Sequence, residues 1–142
     1  MIAEPGTSSY GALSVWLQSQ CSVRIIRRLG PQVFWPRPKV NSAIVSLWRH
    51  DGRGGRILDR PFFLDFIRRL FHHRRKLMRS VLCGMYRKQI SKSEVDAILM
   101  ELEFGPEPRA EQLDVPSLLR LANRFYQVKT GESEPESPRD SP

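Results

Sequence analysis

The chain has 142 residues, with 40% hydrophobic and 27% charged residues, enough for one ordinary domain or two very small ones. No apolar run is long enough for a membrane span, and the N-terminus has neither a basic region nor an apolar stretch, so no membrane or secretory role is expected. The net charge of +8 hides an asymmetry: residues 1–92 carry 18 Lys+Arg against 4 Asp+Glu, residues 93–142 carry 5 against 11, and 18 of the 23 basic residues are Arg. Arg makes bidentate phosphate contacts and stacks on bases, so a polyanion is the expected partner, nucleic acid first. A solvated basic surface is the alternative.

Positions 10–20 place Leu13, Trp16, Leu17 and Gln20 at helical spacing, with Ser8 or Ser9 as N-cap. Cys21 to Leu29 reads as a strand, with Val23, Ile25 and Leu29 on one face and Arg24, Ile26 and Arg28 on the other. Two prolines at 36 and 38 make 34–39 a stiff extended loop. Positions 40–48 alternate as a half-buried strand, with Ala43, Val45 and Leu47 on one side. Residues 51–60 hold a Gly cluster that lacks both GxGxxG and GK[ST], and read as a linker.

One long helix is expected from Asp59, its N-cap, through Leu82, with Pro61 in the first turn. Its apolar rhythm includes Phe63, Phe66, Ile67, Leu70, Phe71, Leu77, Met78 and Val81. Steps of three and four would stack Arg68, His72, Arg75 and Arg79 on one basic face. Ser91 and Glu94 form a capping box before a helix carrying Val95, Ile98, Leu99 and Leu102. Asp114 caps a last helix with Leu118, Leu121, Ala122 and Phe125 inward. From 127 the composition reads as a disordered acidic tail.

Adjacent His72 and His73 diverge by about 100° on a helix and cannot share a metal. Cys21 and Cys83 form no CxxC and are expected to be buried free thiols in a reducing compartment. The basic run 68–79 contains no acid and suits phosphate, or is simply a solvated face. Phe34 and Trp35, braced by prolines, could stack on an unpaired base or close the core beside the strand; residue types leave both open.

The segment Phe34-Trp35-Pro36-Arg37-Pro38-Lys39-Val40-Asn41-Ser42-Ala43-Ile44-Val45 resembles the F-x-P-x-P-K-V-[DN]-S-x-[VI]-V signature of the ribosomal RNA adenine dimethyltransferases. Ala3-Glu4-Pro5-Gly6-Thr7 and Tyr10-Gly11-Ala12-Leu13-Ser14-Val15 match the family's A-x-P-G-[ST] and Y-G-x-L-S-V stretches. Phe71 to Leu82 is similar to its basic helix, and Arg109-Ala110-Glu111-Gln112-Leu113 to its R-[AP]-E-x-L turn. The resemblance implies dimethylation of two adjacent adenines near the 3′ end of small-subunit rRNA, with S-adenosylmethionine as methyl donor. It implies that Phe34 stacks on the flipped adenine, with Pro36 and Lys39 shaping the same loop. It implies that Arg68, Arg69, Arg74, Arg75, Lys76 and Arg79 lie in a helical domain that grips rRNA. Trp35 falls at a variable family position.

The family's Gly-rich cofactor loop, ribose-binding acid and N-[LI]-P-Y motif have no counterpart in these residues. The resemblance therefore implies an α/β remnant, the last helix and two edge strands of a Rossmann-like sheet, followed by a small all-α domain. The expected division is 1–50 sheet end, 51–60 linker, 61–126 helical rRNA-binding domain and 127–142 tail. The chain alone is expected to bind no S-adenosylmethionine and to be an inactive, monomeric, cytoplasmic C-terminal part acting on the 30S pre-ribosomal particle. The alternatives are a non-enzymatic RNA-binding module in ribosome assembly and a DNA-binding helical protein.

Overall fold

A computed structural model describes residues 2–50, 52, 56–105 and 107–131. Among these residues five α-helices and one two-stranded sheet form, in the order α1 (Ala12–Gln18), β1 (Cys21–Leu29), β2 (Ser42–Arg49), α2 (Arg60–His72), α3 (Met78–Met85), α4 (Lys92–Glu101) and α5 (Val115–Thr130). Short 3-10 turns at Pro31–Val33 and Ala110–Gln112 precede β2 and α5.

The core is built by the helices. Phe63, Phe66, Ile67 and Leu70 of α2 meet Leu82 of α3, Val95 of α4, and Leu118, Leu121 and Phe125 of α5. The ring of Phe66 lies 5.6 Å from that of Phe125 and 6.4 Å from that of Tyr86. The N-terminal segment joins the same core through Ala3, Tyr10 and Val15.

The capping chemistry behaves as the sequence predicts. An Asp59 carboxylate oxygen accepts from the Phe62 amide at 2.7 Å, and Pro61 sits in the first turn of α2. The Ser91 hydroxyl accepts from the Glu94 amide while the Glu94 carboxylate accepts from the Ser91 amide. Asp114 caps α5 through the Ser117 amide at 2.9 Å. Gly131, in the left-handed region at φ 71°, ends α5 where a side chain would be strained.

Five expectations need correction. First, the long helix is two. Its apolar rhythm requires an apolar residue near 74, and Arg74 stands there. A continuous helix would press that guanidinium beside Leu70 and Phe71, so α2 stops at His72 and the chain turns. The turn is held by a bridge between Leu77 and Arg109 and by the Met78 amide donating to the Pro108 carbonyl at 2.9 Å. Leu77 is therefore exposed and Met78 buried. Arg75 lies in the turn, so the four-residue stack of Arg68, His72, Arg75 and Arg79 on one helix does not form.

Second, α1 starts at Ala12 with Gly11 as N-cap, not Ser8 or Ser9. The Ser14 hydroxyl accepts from the Gly11 amide and donates to the Ser9 carbonyl. Its buried residues are Ser14 and Val15, while Leu13 faces solvent.

Third, a bulge between Ile25 and Arg27 shifts the register of the antiparallel pair, so that Ile25 opposes Val45 and Arg28 opposes Ala43. The extra residue, Ile26, moves Arg28 onto the face of Val23 and Ile25 and sends Leu29 to the other. The expected half-buried face is covered only in part: Val23, Ile25 and Val45 are half-buried, whereas Ala43 and Leu47, like Ile44 and Trp48 on the other face, are exposed. Fourth, α5 continues through Thr130 with Gln127 buried, beyond the expected start of a tail at 127. Residues 132–142, and positions 51 and 53–55 of the expected linker at 51–60, lie outside the described residues. Fifth, Cys21 and Cys83 are unpaired and half-buried, not fully buried.

Candidate nucleic-acid interface

The split between α2 and α3 creates an open groove. Arg68, Arg69, His72 and His73 line it from α2 and the turn, Lys76 from the turn, and Ser80, Val81 and Gly84 from α3. Of the four residues expected to stack on one helix, Arg68 and His72 line this concave surface and Arg75 and Arg79 do not; Lys76, which that stack did not include, joins them from the turn.

The six predicted cations do not play one role. Arg69 is held: it donates to the Met85 carbonyl at 3.0 Å, lies 3.6 Å from Asp65 and sits 5.7 Å from the Tyr86 ring centroid. Arg69 thus pairs with Asp65, the one acid among the groove's described lining residues. The side chains of Arg68 and Lys76 form no hydrogen bond or ion pair with another described residue, so their donors remain available to a ligand. Arg75 is exposed and likewise has no partner among the described residues.

Arg79 forms a two-point pair with Asp96 of α4, one bond at 2.8 Å. The hydrogen bond from Arg79 and its charge hold the Asp96 carboxyl below its ordinary value, and the same bond raises the guanidinium. Arg74 does not line the groove. It donates to the Ser8 and Tyr10 carbonyls at 3.1 and 3.2 Å and pairs with Glu111 at 3.3 Å. Close by, the Gly6 amide donates to the Glu111 carbonyl and the Tyr10 hydroxyl to the Leu113 carbonyl. Burial and the Asp114 charge push the Tyr10 phenol up, keeping it a neutral donor. Arg74 therefore fastens the N-terminal segment to the helices. A basic residue at an apolar position was the one sequence signal of this role.

The loop between β1 and β2 presents its rings outward. Phe34 is 41% exposed and Trp35 95%, and Pro36, Arg37 and Lys39 are exposed with them. Neither ring belongs to the core, which removes the reading in which they close it. His72 and His73 are exposed with ring centroids 4.8 Å apart. Among the described residues no cluster of three or more His, Cys, Asp or Glu is placed to hold a metal, and no helix is long and apolar enough to cross a membrane. A second pocket between α1, β1 and α5, which no sequence signal marked, is lined by Gln18, Ser19, Ser22, Arg56 and Leu119 among others, with no carboxylate among its described lining residues.

Residues 1–124 match the family model described as ribosomal RNA adenine dimethylase. The chain is 33% identical over 126 residues to the ribosomal RNA small subunit methyltransferase A of Halothermothrix orenii, covering 89% of this chain and 42% of the relative. With the enzyme of the same name from Xanthomonas euvesicatoria it shares 40% identity over 123 residues, covering 87% and 44%. The chain thus spans less than half the length of the curated relatives it matches. Its fold is similar to a dimethyladenosine transferase from Plasmodium falciparum, with a TM-score of 0.72 at 22% identity over 89% of this chain and 52% of that one. It is also similar to the 23S rRNA methyltransferase ErmE, with a TM-score of 0.52 at 21% identity over 83% and 47%. Two antiparallel strands and five helices in this arrangement resemble part of a methyltransferase fold. The chain belongs to the ribosomal RNA adenine dimethylase family.

Proposed function

We propose that this chain is the RNA-gripping part of an S-adenosylmethionine-dependent rRNA (adenine-N6,N6-)dimethyltransferase acting on adjacent adenines near the 3′ end of small-subunit rRNA. In this reading residues 1–50 end a Rossmann-like domain, 51–60 link, and the helical rRNA-binding domain runs from 61 to the end of α5. The target is the 30S pre-ribosomal particle, met by a monomer in the cytoplasm during ribosome biogenesis. The observation that carries the reading is the α2–α3 groove, where Arg68 and Lys76 keep their donors free beside His72 and His73. A phosphate backbone is the ligand such a groove suits, because each cation placed on it releases condensed counterions.

S-adenosylmethionine, when bound, supplies an electrophilic methyl group. The residues of this chain do not fit it. A nucleoside cofactor of this kind takes a carboxylate for its ribose hydroxyls and close backbone approach at a strand-to-helix turn. Glu4 is the single acid before Asp51, it is exposed, and no described residue lining the α1–β1–α5 pocket is a carboxylate. We therefore assign this chain the tasks of binding and orienting RNA, with no step of methyl transfer. Phe34 is the candidate ring for the extruded adenine, with Pro36 and Lys39 around it.

Two assays test the reading. The chain alone should give no methyl transfer to unmethylated small-subunit rRNA above background, yet should retain that rRNA in a filter-binding assay at moderate salt. Turnover by the chain alone would contradict the missing-donor reading. Failure to retain rRNA would contradict the gripping role. If a chain carrying the donor pocket restores no activity when added, the non-enzymatic assembly module gains.

A further inference from the structure

Trp35 is the most exposed large apolar side chain among the described residues, at 95%. A ring left in water at that extent forfeits the burial that usually retains a Trp, and no described residue covers it. The backbone that carries it is restricted from both sides. Pro31 opens a 3-10 turn closed by the Val33 amide on the Gly30 carbonyl and the Phe34 amide on the Pro31 carbonyl, both at 3.3 Å. Pro36 and Pro38 fix φ beyond it. Little conformational entropy is therefore left to lose when the ring meets a flat partner.

Charge then selects the partner. Arg37 and Lys39, two and four residues on, are exposed, and neither side chain has a partner among the described residues. No acid occurs between Glu4 and Asp51, while that stretch contains Arg24, Arg27, Arg28, Arg37, Lys39 and Arg49. A flat ring beside uncompensated cations suits a stacked base with its phosphates on either side, and a protein surface would have to bring matching acids.

We propose that Trp35 stacks on an unpaired nucleobase of the bound RNA, as a second platform beside Phe34, with Arg37 and Lys39 on the adjacent phosphates. The proposal rests on the reading of this chain as an RNA binder but not on which RNA or which groove. It makes the loop between β1 and β2 a reader of single-stranded character. Duplex RNA, whose bases are already stacked on one another, gains nothing from Trp35.

The test uses the full chain with a short unstructured single-stranded RNA and the same RNA in a duplex. Trp emission reports stacking, and Trp48→Phe is the background in which Trp35 is the one exposed Trp, since Trp16 packs against Phe63 at 6.0 Å. The single strand should quench this emission and the duplex should not. Trp35→Ala should remove the quench and weaken single-strand binding by about fivefold or more, leaving duplex binding unchanged. Trp35→Phe should restore affinity to within about twofold, because it keeps a stacking face. Arg68→Gln with Lys76→Gln should weaken both RNAs and leave the residual quench per bound RNA intact. That last result separates the two claims: loss of binding there with no effect of Trp35→Ala overturns the stacking role while the groove reading stands. A quench that survives in Trp35→Ala also overturns it. So does unchanged RNA binding by Trp35→Ala together with loss of self-association in sedimentation, which would assign the ring to a second copy of the chain.

Discussion

The helices and the β-ribbon of this chain solve the burial problem differently. In the helices each apolar stripe meets another, and Phe63, Phe66, Leu70, Leu82, Leu118 and Phe125 are all buried. The ribbon leaves Ile26, Ile44, Leu47 and Trp48 in solvent. Two strands have too little surface to cover each other's faces. Alternation specifies which residues share a face, and only a neighbour decides whether that face is buried. The helical part therefore contains its own stability, and the ribbon borrows what it has from α1 and from the hydrogen bonds between its two strands.

The largest effect should come from Phe66→Ala, which empties the junction of α2, α3 and α5 and should cost about 3–5 kcal/mol in denaturant unfolding. Ile44→Ala in the ribbon should cost under about 0.5 kcal/mol, since the side chain is already exposed. Equal losses at the two positions would break the comparison. Hydrogen exchange should rank the regions the same way, with ribbon amides exchanging well before those of α2 and α5.

Arg74→Ala sharpens the boundary between the regions. It leaves the Ser8 and Tyr10 carbonyls and the half-buried Glu111 without their cation, and should cost about 1–3 kcal/mol. At temperatures where the variant is folded, its RNA affinity should change little more than removal of one charge outside the groove requires. A stable Arg74→Ala with greatly weakened RNA binding would return Arg74 to the interface.

Asp114→Ala removes the cap of α5 and should cost about 1 kcal/mol at neutral pH. The Ser117 hydroxyl and amide hold the Asp114 carboxyl below its ordinary value. The folded state thus binds fewer protons than the unfolded one in the carboxylate range. The contribution is complete at neutral pH and disappears as pH falls through the folded-state titration. The gap between wild type and Asp114→Ala should therefore close on acidification, read from urea midpoints along a pH series.

Much of this architecture is legible in the residues. Asp59, Ser91 and Asp114 announce three helix starts because capping is local chemistry. The strands are legible for the same reason, through period-two alternation. The bulge at Ile26 is not, because it inserts one residue without a Gly or Pro to mark it. The break after His72 is legible only if Arg74 is weighed as a violation of the apolar rhythm. Of the six cations expected at the interface, the sequence cannot separate free from engaged. The partners of Arg74 and Arg79, Glu111 and Asp96, lie 37 and 17 positions away. The groove itself arises from a turn that breaks one expected helix in two.

The most direct measurement of the central claim is the salt dependence of rRNA binding by wild type and by Arg68→Gln with Lys76→Gln. If those two side chains hold phosphates, the double variant should bind about tenfold or more weakly at moderate salt, and the slope of log affinity against log salt should fall by about two. An unchanged slope and affinity would mean that the α2–α3 groove is not where this chain meets RNA.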